Sequence, residues 1–213
     1  MDREKPLSIP VDGVTLEGSL AVPDQAVGLV IFAHGAGSGR LSPRNSYVAR
    51  LLRGERLGTL LLDLLTPQED LVYENRFDID LISRRMAETT LWVKENTQGR
   101  DLPIGFFGAS TGSAAALKAS VQPGVEARAI VSRGGRPDLV SDILPLVKAP
   151  TLLIVGGNDT VVIGLNEQAY GLIRAEKDFR IVQGASHLFE EPGKLDVVAM
   201  LASGWFRTHF TAY

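Results

Sequence analysis

The chain contains no cysteine. That excludes disulfides, a thiolate nucleophile and cysteine-based metal sites, and it fits a reducing compartment. Histidine is scarce as well: the three present are His34, His187 and His209, so any chemistry needing an imidazole base has few candidates. Long apolar runs are missing. The longest, at 27–33 and 59–65, have strand length and fall far short of the roughly 20 residues that span a bilayer. A strong charge of either sign is missing too: a net −3 gives no reason to expect a nucleic-acid or membrane partner. The opening Met-Asp-Arg-Glu-Lys-Pro lacks the apolar centre of a signal peptide, so a cytoplasmic location is expected. No spacing such as His-Glu-x-x-His occurs, and no metal or organic cofactor is expected.

What is present suits one α/β domain over residues 1–213, long enough to bury a full core and short for two. Residues 7–11 and 14–22 are strand-like runs separated by Asp12-Gly13, a strong hairpin signal, and should pair antiparallel at a sheet edge. From residue 28 onward, apolar runs alternate with helical patterns. Strands are expected at 28–33, 58–62, 104–107, 129–131, 151–155 and 179–182. Helices are expected at 45–54, 78–96, 113–121, 139–146, 167–174 and 194–210, with a polar loop around Pro67, Glu69 and Asp70. This alternation is the signature of a doubly wound, mostly parallel sheet. Sites in such sheets form at the carboxyl ends of the strands, where His34, Asp63, Ser110, Arg133, Asp159 and His187 all fall.

The central motif is Gly108-Ala-Ser110-Thr-Gly112, set between a buried strand and an alanine-rich helix. A serine on so sharp a turn needs small neighbours, and the turn lifts its oxygen above the sheet while placing the Thr111 amide at a helix N-terminus. A serine hydroxyl becomes a useful nucleophile when a base takes its proton and a third group orients that base. His187, in the small-residue loop Gly184-Ala-Ser-His187, is the candidate base. His34 reads as a loop-shaping residue and His209 as a surface one. The acid should lie between Ser110 and His187. Asp159, after the Gly156-Gly turn, is favoured over Asp138, which follows Pro137 and could simply begin a helix. An oxyanion needs two donors: the Thr111 amide is one, and the loop Gly35-Ala36-Gly37 offers the other, at Ala36 or next at Gly37.

Taken together, Gly108-Ala-Ser110-Thr-Gly112, His34-Gly35-Ala36-Gly37, Gly156-Gly-Asn-Asp159 and Gly184-Ala-Ser-His187 resemble the α/β-hydrolase superfamily over nearly the whole chain. The compact size, without a large cap domain, is most similar to the dienelactone hydrolase-like branch. Dienelactone hydrolases proper carry a cysteine nucleophile, and Ser110 stands in that position here. The resemblance implies a Ser110–His187–Asp159 esterase mechanism on a small or medium ester, lactone or thioester, with no cofactor. Arg40, Arg133 and Arg136, at strand ends, could contact an acidic substrate or simply pair with nearby acids. The loop 64–77 is the other expected wall of the pocket, and the oligomeric state is left open.

Two other classes are weighed. Gly35-x-Gly37 with Asp63 suggests a dinucleotide site, but Arg40 occupies the third glycine's place and Pro43 delays the following helix. A non-catalytic ligand-binding module on the same fold is the alternative to an enzyme.

Overall fold

The computed structural model describes residues 4–211. Asp12 and Gly13 both take positive φ, 49° and 73°, a pairing whose twist matches that of hairpin strands. Strands β1 (Lys5–Val11) and β2 (Val14–Ala21) therefore pair antiparallel with Val11 opposite Val14. Alternation then buries Ile9 and Val11 from one strand and Leu16 and Leu20 from the other.

Six more strands follow: β3 (Gly28–Ala33), β4 (Leu57–Leu62), β5 (Ile104–Ala109), β6 (Ala127–Arg133), β7 (Thr151–Gly156) and β8 (Lys177–Val182). β3, β4, β5 and β7 are buried along their whole length, as strands covered on both faces must be. The sheet order is β1-β2-β4-β3-β5-β6-β7-β8, with β4 through β8 parallel and the hairpin antiparallel at one edge.

The helices are α1 (Pro43–Gly54), the single turn α2 (Pro67–Asp70), α3 (Ile79–Asn96), α4 (Thr111–Ala119), α5 (Thr160–Leu172) and α6 (Lys194–Thr211). One face of the sheet carries α3, α4 and α5, whose Ile82, Met86, Leu117 and Ala169 share a core with Ile31 and Phe106. The other carries α1 and α6, with Val48, Leu52, Val198 and Phe206 packed on Phe32 and Phe107. This is the α/β-hydrolase architecture. No helix among the described residues is long and apolar enough to cross a membrane.

Local structure departs from the sequence-based expectation in four places. α1 begins at Pro43, not Asn45: Ser42 caps it and the proline occupies the first turn, where its missing N–H costs nothing. The expected polar loop after β4 contains α2, closed by a capping box between Thr66 and Glu69, and a 3-10 turn at Tyr73–Phe77. The helix expected at 139–146 is two 3-10 turns, Pro137–Val140 and Leu144–Leu146, because Pro145 interrupts the ladder. α5 starts at Thr160, seven positions' worth of sequence masked by the β-branched run Thr160-Val-Val-Ile163.

One buried cation ties the carboxyl edge together. Arg85 of α3 is 2% exposed and donates to both Glu69 oxygens, at 2.7 and 2.5 Å, and to the Leu64 carbonyl at 3.1 Å. Its Nε lies 3.4 Å from Asp12 in the hairpin turn. The Arg85 guanidinium holds the Glu69 carboxyl down at about 2.

Candidate active site

β5 ends at Ala109 and α4 begins at Thr111, so Ser110 alone makes the turn. It does so at φ 51° and ψ −124°, a left-handed conformation that a non-glycine residue holds only when its surroundings enforce it. The enforcement is visible. The Ser110 N–H donates to the Arg133 carbonyl at 3.2 Å, and the Ser110 carbonyl accepts from the N–H groups of Ser113 and Arg136 at 3.0 and 3.1 Å. Gly108 and Gly112 are small because α4 sits hard against the sheet. A Cβ on Gly108 would lie 2.4 Å from Ser113 Cα, and one on Gly112 would lie 2.2 Å from the Ala33 carbonyl oxygen.

His187 follows β8 and Asp159 follows β7 at the N-terminus of α5. The imidazole Nδ1–H donates to Asp159 Oδ2 at 2.6 Å, which leaves Nε2 as the free nitrogen. Gly134, at φ 52°, lets the ring lie close: a Cβ there would be 3.1 Å from the His187 carbonyl oxygen. Asp138, the other acid considered, is held by Arg136 through two bonds of 2.8 Å and does not meet the imidazole. Ser110 and His187 line one cavity of about 240 Å³ with Ala36, Ser42, Asn45 and Arg133.

The remaining histidines have structural partners. His34 Nε2 accepts the Leu64 N–H at 3.0 Å, so the proton sits on Nδ1 and is donated to the Gly35 carbonyl at 2.9 Å. Burial lowers its pKa and keeps it neutral. His209 corrects the surface expectation. Its side chain is 9% exposed and lies edge-on to Trp205, near Glu176 at the amino end of the sheet.

The Gly35-Ala36-Gly37 loop lies over the serine: a Cβ on Gly35 would be 3.1 Å from Ser110 Cβ. The Thr111 N–H opens α4 and so lies outside the helical ladder. The Ala36 N–H donates to Thr111 Oγ1 at 2.9 Å, a contact between loop and helix that sequence alone gave no sign of. Gly37 lines a neighbouring cleft with Asp70 and Arg76.

Of the three arginines weighed, Arg133 alone reaches the Ser110 cavity. Arg40 turns to Asp63, its Nε 3.2 Å from Oδ2, and lines a separate cleft with Thr15 and Glu17. Arg136 is taken up by Asp138. Sequence reasoning missed Ser42 and Asn45 as cavity residues. The Ser42-Pro43 pair is an N-cap signature that would have placed the start of α1 correctly. Among the described residues, no group of three or more His, Cys, Asp or Glu side chains could hold a metal ion.

No family model matches the chain. A solved structure does: the dienelactone hydrolase from Anabaena variabilis ATCC 29413 is 49% identical, with a TM-score of 0.94 and 98% of each chain covered. The chain belongs to the dienelactone hydrolase family of α/β-hydrolases. Est1E from Butyrivibrio proteoclasticus shares the fold at 14% identity and a TM-score of 0.78, with 98% of this chain and 99% of that one covered. A protein of Mycobacterium tuberculosis strain H37Rv, provisionally named a phosphoribosyl transferase, is 50% identical over 207 residues, or 97% of this dienelactone hydrolase-family chain and 47% of that protein. The chain thus spans about half the length of the curated relatives it matches.

Proposed function

We propose that this chain is a serine hydrolase that cleaves a small or medium ester, lactone or thioester through an acyl-enzyme. The observation that carries the reading is a strained Ser110 sharing a cavity with His187, whose ring is oriented by Asp159 at 2.6 Å. In this reading His187 Nε2 takes the Ser110 proton as Oγ attacks the acyl carbonyl. The tetrahedral adduct collapses, the bond to the leaving group breaks, and His187 returns the proton to that group. Water, deprotonated by the same imidazole, then releases the acid and restores Ser110. Asp159 stays ionised and stabilises the imidazolium.

The amides of Thr111 and Ala36 serve the oxyanion. The Ala36 N–H is bonded to the neutral Thr111 hydroxyl; a developing oxyanion is the stronger acceptor and takes that N–H over. No large cap stands over the carboxyl edge among the described residues, which suits small acyl groups. The transferase name of the longer relatives belongs to whole proteins of which this chain matches half.

The test is hydrolysis of p-nitrophenyl acetate and butyrate by wild type and Ser110→Ala. Loss of about 10⁴-fold or more in the variant is expected for a nucleophile. Equal slow rates in both proteins would set the reading aside in favour of a ligand-binding module on the same fold.

A further inference from the structure

Thr111 is the first residue of α4, directly after the Ser110 turn, and is 5% exposed. Its hydroxyl accepts the Ala36 N–H at 2.9 Å, a bond across 75 positions that ties the loop after β3 to the helix. A hydroxyl that accepts a hydrogen bond still has a proton to give. Among the described residues, no acceptor takes that proton, and none takes the Thr111 backbone N–H. A Cβ placed on Gly35 would lie 3.8 Å from Ser110 Oγ, so this loop and the head of α4 close around the nucleophile. Buried donors are rarely left unused, so two on one residue beside a strained serine call for explanation.

Hydrogen bonds weaken steeply once the N–H···O angle falls below about 120°, so a single N–H serves acceptors within one cone. The Ala36 N–H points at Thr111 Oγ1. An oxyanion that takes this N–H over must enter the same cone, beside Oγ1. The handover by itself would leave a buried hydroxyl without its donor, which is unfavourable. Turning the hydroxyl proton onto the oxyanion replaces the lost bond by one to a charged acceptor, which is stronger.

We infer that the Thr111 side chain is a third oxyanion donor and so a catalytic residue. It holds the Ala36 N–H in the resting site, then hydrogen-bonds the acyl oxygen as negative charge develops there. No proton is transferred: the Oγ1–H bond stays intact, and the hydroxyl changes from acceptor to donor. The inference rests on the serine-hydrolase reading and adds a side chain where that reading uses backbone amides. The Thr111 methyl group has no part in it, so serine is equivalent at this position and valine is not.

The test compares Thr111→Val, which keeps the shape and removes the hydroxyl, with Thr111→Ser, which keeps the hydroxyl. With p-nitrophenyl butyrate, kcat in Thr111→Val should fall by about 100-fold, the lower end for losing one oxyanion donor because two amides remain. KM should stay within about twofold, and Thr111→Ser should recover kcat to within a few fold of wild type. Phenylboronic acid, whose adduct with serine is a tetrahedral anion, should inhibit Thr111→Val more weakly by a similar factor. A crystal structure of wild type with that boronate separates donation from mere tying of the loop, and it carries the test should Thr111→Val not fold. The expected adduct oxygen lies within about 3.2 Å of Ala36 N, Thr111 N and Thr111 Oγ1. An adduct oxygen out of reach of Oγ1, with the Ala36 N–H still on the threonine, overturns the inference. So does a Thr111→Val protein as fast as wild type or faster, or an equal loss in Thr111→Ser; either result in an active wild type leaves the hydrolase reading standing. A wild type that neither hydrolyses the ester nor binds the boronate removes the hydrolase reading and the third donor together.

Discussion

At the scale of single residues, a 2.6 Å contact separates two aspartates that chain order alone left in competition. Asp159 accepts from the His187 ring, while Asp138 is engaged by Arg136. Asp159→Asn should therefore lower kcat by about 10⁴-fold, because an amide stabilises the wrong tautomer of the base. Asp138→Asn should leave kcat unchanged. Comparable losses in both variants would contradict the assignment. Ser110, His187 and Asp159 were legible as candidates because each follows a strand in a glycine-bounded turn, a local pattern. Arg133 was legible as a strand-end arginine, but its lack of a counter-charge among the described residues was not. That fact depends on α1 bringing Asn45 and Arg44 beside it, a contact across 88 positions for Asn45 that no local pattern encodes.

At the scale of elements, the Ser110 turn works because α4 is pressed against β3 and β5. Gly112→Ala drives a methyl group to 2.2 Å from the Ala33 carbonyl oxygen, which is backbone and cannot move aside cheaply. A loss of about 3 kcal/mol or more is expected, at the upper end for overpacking. Gly204→Ala is the matched contrast. Gly204 sits inside α6 with nothing within 4 Å of the added carbon, so that change should stabilise by about 0.5–1 kcal/mol. Urea denaturation of both variants checks the pair, and a tolerated Gly112→Ala would mean that α4 is less tightly seated than described. Long periodic elements such as α3 and α6 were readable from their apolar spacing. The places that were misread are helix starts and short turns: the Thr66-x-x-Glu69 box, the Ser42-Pro43 start, the β-branched opening of α5, and the proline-interrupted turns after β6. Their signals lie in one or two residues, and tertiary contacts decide the rest.

At the scale of the whole molecule, the site is assembled from the ends of β3, β5, β6, β7 and β8, so its geometry depends on the sheet holding its order. The Arg85–Glu69 pair, with Asp12 beside it, links α3, the hairpin and the segment after β4 at that edge. Glu69 is pulled from 4.5 to about 2 by Arg85, and Asp12 is held below its usual range chiefly by Arg84. A carboxyl with a depressed folded-state pKa stabilises fully above its unfolded pKa and loses that contribution as pH falls toward the folded value. Thermal stability should therefore drop between about pH 4.5 and 2. Glu69→Gln should be less stable than wild type at pH 7, since it strands a buried guanidinium, with the two curves converging toward pH 2. Melting curves that run parallel across that range would contradict the linkage.

The central claim is that Ser110 is an activated nucleophile. Labelling of the folded chain with a fluorophosphonate, followed by mass-spectrometric mapping of the adduct, tests it most directly. The account predicts a single adduct on Ser110, absent from Ser110→Ala and strongly slowed in His187→Ala. A well-folded wild type that takes no label, or takes it on another serine, would contradict it.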